Sequence, residues 1–171
     1  MKIPLDYYCV MTGLLCPRCQ EKVRRGEVQE FEIGVMRELL NLEKQVDFKF
    51  LVQTEYVQSH DSPRMLVILI RSGLPDAKAP PNLRKLERRL SKVFKKKVKV
   101  INVAGETFTQ IASHLLWPAR ILTVSTTFLP TGDETLTISV PRSDARYLRD
   151  SQFIEQILSK IAGKPVRVRV L

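Results

Sequence analysis

No apolar run in this 171-residue chain reaches the length that a membrane-spanning helix needs, about 18 to 20 residues. The N-terminus also lacks the basic, then apolar, then small-residue succession of a secretory signal, so a cytoplasmic chain without membrane association is expected. Cysteine is scarce and odd in number, three in all, which disfavours a disulfide framework. The two histidines, His60 and His114, have no catalytic partner at a useful spacing. There is no phosphate-cradling glycine loop, no serine-centred elbow and no His-Glu-x-x-His run. The expectation is a non-enzymatic protein with no small-molecule substrate.

Acidic charge is the other shortage. Lysine and arginine number 28 against 18 aspartates and glutamates, a net charge of +10. A balance of that sign points to an anionic partner, nucleic acid before membrane. The excess is local. Residues 1–46 carry seven basic and seven acidic groups, residues 47–103 carry thirteen and five, and residues 104–171 carry eight and six. The hydrophobic share of 44% and the charged share of 27% are those of a folded globular chain.

The middle of the chain recurs in its second half. Leu90 to Val100 (LSKVFKKKVKV) returns as Leu158 to Val168 (LSKIAGKPVRV), identical at six of eleven positions. Leu66-Val67-Ile68-Leu69-Ile70 likewise parallels Leu136-Thr137-Ile138-Ser139-Val140. Two copies imply two small domains of one kind, 28–103 and 104–171, after a leader of residues 1–27.

In the first copy, helical spacing of Phe31, Val35, Leu39 and Leu42 predicts a helix from Val28 to about Gln45. Alternation of Phe48, Phe50 and Val52 predicts a strand, and His60-Asp61-Ser62-Pro63 a turn. The apolar run Met65 to Ile70 reads as a strand buried on both faces. Asn82 is the expected cap of a helix with Leu83, Leu86, Leu90, Val93 and Phe94 on one side, followed by a strand through Val98 and Val100. The second copy repeats this order. It has a helix over Phe108 to Leu116, strands over 120–128 and 135–140, and a short helix over Ser143 to Leu148. A longer helix then starts at Asp150 or Ser151 and ends at Gly163, and Val166 to Val170 closes the unit. The fold class is therefore α+β. Trp117 is read as a core or inter-domain plug.

Two constellations carry chemistry. In the leader, Asp6, Cys9, Cys16 and Cys19 are spaced as two ligand pairs, D-x2-C-x6-C-x2-C. Structural zinc takes four ligands in a tetrahedron, and a Cys-x2-Cys turn supplies two at the right bite. Zinc is the expected cofactor, with His60 the alternative to Asp6 as fourth ligand. The competing reading is three ordinary thiols packed under a helix.

The second constellation is a basic helix and strand: Arg84, Lys85, Arg88, Arg89, Lys92, Lys95 and Lys96, continued by Lys97 and Lys99, with only Glu87 opposing. A solvated helix face normally mixes signs, and this one hardly does, so it is read as tracking a phosphate backbone. Phe94 belongs to the apolar stripe, which leaves little for base stacking, so binding should favour backbone over sequence. Arg120, Arg142, Arg146 and Arg149 form a thinner patch that is equally compatible with ordinary surface positions.

The element order resembles the type II KH domain, and its tandem use resembles NusA transcription factors, closest to the short archaeal NusA-like proteins. Leu115-Leu116-Trp117-Pro118-Ala119-Arg120-Ile121 is similar to the family's Pro-Ala-Arg junction, and Pro141-Arg142-Ser143-Asp144-Ala145-Arg146 to a stretch after its second central strand. The resemblance covers residues 28–171. It implies RNA binding in transcription elongation or termination. A working KH domain clamps single strands with a Gly-x-x-Gly loop, where bare backbone approaches the nucleotides. Here Ala79-Pro80-Pro81-Asn82 and Arg149-Asp150-Ser151-Gln152 stand in its place. These losses keep a rival reading open, a protein-interaction module docking on RNA polymerase, the ribosome or another complex.

Overall fold

The computed structural model describes all of residues 1–171 and divides the chain into two compact units, Met1–Gly105 and Glu106–Leu171. The protein is α+β, with one three-stranded sheet in each unit.

The first unit opens with α1 (Tyr7–Thr12) and α2 (Pro17–Arg24), followed by α3 (Glu30–Leu42). A 3-10 segment, Val46–Gln53, leads into β1 (Glu55–Asp61) and β2 (Met65–Arg71). Then come the single-turn α4 (Pro75–Lys78), the long α5 (Pro80–Phe94) and β3 (Lys97–Asn102). Strand β2 is central, antiparallel to β1 and parallel to β3. Six of its seven residues are buried, as the unbroken apolar run requires. Leu83, Leu86 and Leu90 seat α5 on the core, each contributing about 1.5–3 kcal/mol by burial.

The leader belongs to this core. Leu5, Cys9, Val10 and Cys19 pack in one hydrophobic cluster with α3 and the sheet. Lys2 adds a parallel bridge to the outer edge of β1, donating its N–H to the Thr54 carbonyl and accepting from the Tyr56 N–H. Arg37 of α3 donates to the Val10 carbonyl, tying α1 down.

The second unit holds α6 (Phe108–Leu116), β4 (Thr123–Phe128), β5 (Glu134–Val140), a 3-10 turn (Arg142–Tyr147), α7 (Ser151–Ala162) and β6 (Val166–Val170). Its sheet repeats the first, with β5 central, antiparallel to β4 and parallel to β6. Gly163 ends α7 at φ 70°, the left-handed cap expected of it.

Four expectations need correction. Val46–Gln53 is 3-10 helix, broken at Phe48 (φ −122°, ψ 20°), not strand, and burial along it does not alternate: Phe48, Phe50 and Leu51 are buried while Val46 and Val52 are exposed. The strand instead spans Glu55–Asp61, so His60 lies within β1, buried and opposite Val67, rather than in a loop. Asn82 is not the cap of α5. Ala79 is, and the Asn82 side-chain amide donates to the Asp76 carbonyl across the α4–α5 junction. Trp117, read as a core or inter-domain plug, is 61% exposed and so is not a core residue.

Candidate metal centre and basic helix

Cys9 comes from α1, Cys16 is the N-cap of α2, and Cys19 sits in the first turn of α2. Their three sulfur atoms lie within 4.8 Å of one another. Thiolates at 2.3 Å from a tetrahedral zinc would stand about 3.8 Å apart, inside that limit. Backbone N–H groups already address the sulfurs: Cys16 donates to Cys9 Sγ and Asp6 to Cys19 Sγ, both at 3.3 Å. Such donors favour the ionised ligand. The Cys16 thiol is held below its ordinary value, first by the backbone N–H of Cys19 and then by the Cys19 side chain. At Cys9 the Cys16 N–H works in the same direction, but burial and the two neighbouring thiols together outweigh it and raise the thiol.

The three cysteines are therefore brought together, and they could hold a metal ion such as zinc. Asp6 and His60 supply no atom to the group. One Asp6 carboxylate oxygen accepts the Tyr8 N–H as the cap of α1.

The basic residues are spread more selectively than the sequence implies. Arg84, Lys85, Arg88, Arg89, Lys92 and Lys95 are exposed along α5 and its end. Lys85 pairs with Asp47 at 2.9 Å and Lys96 with Asp61 at 2.6 Å. Lys99 is buried, and burial lowers its pKa, while the charge of Glu87 works against that shift.

The repeat explains how α5 is held. Ser91 Oγ accepts the Val98 N–H and Glu87 Oε1 accepts the Val100 N–H. Sixty-eight positions later (159 − 91 and 155 − 87), Ser159 accepts from Val166 and Glu155 from Val168. In both units these two side chains clamp the long helix to the edge strand that follows it. The glutamates lie just upstream of the literal match at Leu90 and Leu158, and extending the same offset finds them.

Between α7 and β6 the second unit has an open groove lined by Gln152, Glu155, Gln156, Ser159, Lys160, Pro165, Val166 and Arg167. At the same offset the first unit places Arg84 for Gln152, Arg88 for Gln156, Lys92 for Lys160 and Lys97 for Pro165. Positions that are largely neutral along the second unit's groove are thus cationic in the first unit.

The loop positions offer no backbone clamp in the first unit. Pro80 and Pro81 open α5 without N–H donors, and the next two N–H groups, of Asn82 and Leu83, both donate to the Ala79 carbonyl. In the second unit Arg120 and Asp144 join the 119–121 segment to the 3-10 turn. Asp144 Oδ2 accepts from the Arg120 backbone N–H at 3.0 Å and from its Nε at 3.2 Å. Arg146 stacks over the Tyr147 ring, 4.7 Å from its centroid.

No protein-family model and no curated protein matches the chain. Among solved structures, one named "Crystal structure of APE1850" is similar over 63% of this chain and 79% of its own, at 17% identity. The TM-score of that match is 0.43.

Proposed function

We propose that this is a non-enzymatic, RNA-binding protein built from two type II KH-like units and acting as a NusA-like factor in transcription elongation or termination. The KH reading is supported by the shared order of helix, two strands, two helices and strand, with antiparallel then parallel pairing. One observation carries the binding site. Arg84, Arg88 and Lys92 form an i, i+4, i+8 stripe with no ion-pair partner, at positions whose counterparts line a groove. Single-stranded phosphate backbone would run along α5 beside the edge of β3, held by side-chain charge because the α4–α5 junction offers no free N–H. Arg89, Lys95 and Lys97 extend the cationic surface, whereas Lys85 and Lys96 contribute less because acids already engage them. The three cysteines hold zinc in the leader, fastening α1 to α2.

Binding of mixed-sequence single-stranded RNA, measured by anisotropy, tests this. Replacing Arg88, Arg89 and Lys92 together by glutamate should cost at least tenfold in affinity, and unchanged affinity would remove the proposed surface.

A second reading, docking on a protein such as RNA polymerase or the ribosome, is favoured by one feature of the second unit. Strand β4 (TVSTTF) carries no charge and lies at the sheet edge, with Phe128 71% exposed. An uncovered edge of that kind accepts an added strand. Affinity for a protein held this way would change little with salt.

A further inference from the structure

The leader gathers three soft ligands and no fourth. The sulfurs of Cys9, Cys16 and Cys19 are the whole group, and no histidine, aspartate or glutamate joins them. Sequence spacing makes Asp6 the natural fourth ligand, yet its carboxylate serves the Tyr8 N–H while its own N–H points to Cys19 Sγ. His60 is built into β1, where it pairs with Val67. Cys9 and Cys19 are buried, and Cys16 alone is partly exposed, so the centre meets solvent on the Cys16 side.

Closed four-ligand sites are structural, whereas three protein ligands plus one open position is the arrangement in which zinc exchanges a ligand with solution. Resting on the zinc reading above, we infer that the leader holds a three-thiolate zinc centre whose fourth position is exchangeable and takes an external thiol or imidazole donor. Soft and borderline donors fit a metal already bound by thiolates. The two backbone N–H groups on Cys9 Sγ and Cys19 Sγ would spread the excess negative charge of three thiolates on one divalent ion. The centre therefore does two things: it fastens the leader onto the first unit, and it offers one coordination site outward.

Cobalt(II) reports both properties in the full-length protein. Titration with cobalt should give one equivalent bound, with thiolate-to-metal charge-transfer absorption and the visible bands of a tetrahedral ion. Adding imidazole or 2-mercaptoethanol to the loaded protein should then shift the visible bands saturably. Asp6→Asn, which keeps an oxygen acceptor for the Tyr8 N–H, should leave the starting spectrum unchanged, and so should His60→Gln. Absence of any charge-transfer band would overturn the metal reading and this inference with it. A cobalt centre with bands that neither probe moves would overturn the exchangeable position alone. A changed starting spectrum in either variant would identify that residue as the fourth ligand and overturn it too.

Discussion

Lys95 ends α5 at φ 54°, the only non-glycine residue in the left-handed region, and its counterpart in the repeat, 68 positions on, is Gly163 at φ 70°. A side chain there costs about 1–2 kcal/mol relative to glycine, offset in part by the greater freedom of glycine in the unfolded chain. Lys95→Gly should therefore stabilise the protein by about 0.5–1 kcal/mol in urea unfolding, while weakening RNA binding by removing a cation. A variant that gains stability without losing affinity would free Lys95 from the binding role. Glu32 is a second decisive residue. Its buried carboxylate accepts from Tyr56 Oη, the Ser59 N–H and the Gln29 N–H. Glu32→Ala strands the buried Ser59 N–H, while Tyr56 Oη keeps Ser59 Oγ as an acceptor, and should cost about 2 kcal/mol, against about 1 kcal/mol for Tyr56→Phe, both read by urea unfolding. Asp144 sets a pH dependence. The Arg120 backbone N–H, ahead of the Arg120 and Ser143 side chains, holds its pKa below the ordinary 3.8. A depressed folded-state value means stability that is present above the unfolded value and lost as pH falls through the folded one. Thermal unfolding of the wild type should therefore weaken below about pH 4 by more than that of Asp144→Asn.

Among the elements, α5 has two outward faces, and they make different predictions. Reversing Arg84, Arg88 and Lys92, whose second-unit counterparts line a groove, should weaken RNA binding more than reversing Lys85 and Arg89, since Lys85 already faces Asp47. Equal effects would mean that the helix acts as a diffuse positive rod rather than one wall of a groove. Stability should barely move in either set, because the core contacts of α5 are Leu83, Leu86 and Leu90. These elements also show what the sequence carries. Helix α5, strands β2 and β3, and their second-unit counterparts are legible because one side of each is continuously apolar. Strand β1 is not, because its inward side chains include Tyr56, which donates to the buried Glu32 carboxylate, and Ser59, whose Oγ accepts from Tyr56 Oη, rather than hydrocarbon alone. Its polarity therefore reads as loop, while the neighbouring Phe48-x-Phe50-x-Val52 mimics a strand. The cysteines are legible as a cluster from spacing alone. The acids that silence Lys85 and Lys96 are not, since Asp47 and Asp61 lie 38 and 35 positions away (85 − 47, 96 − 61) and only the fold brings them near.

For the whole molecule, charge and metal are separable. The leader shares the first unit's core through Leu5, Cys9, Val10 and Cys19, and Lys2 covers the edge of β1. Chelation should therefore increase amide exchange in α1, α2 and β1, with β4 to β6 unaffected, because the second unit closes its own core around Ile138, Val140, Ile154 and Leu158. Phosphate tracking by α5 is tested most directly by the salt dependence of RNA binding. We would measure affinity of the metal-replete protein for mixed-sequence single-stranded RNA by anisotropy at several salt concentrations. About five phosphate contacts predict a log–log slope near −3.5. No binding even at low salt, or a slope near zero, would contradict a phosphate-tracking α5.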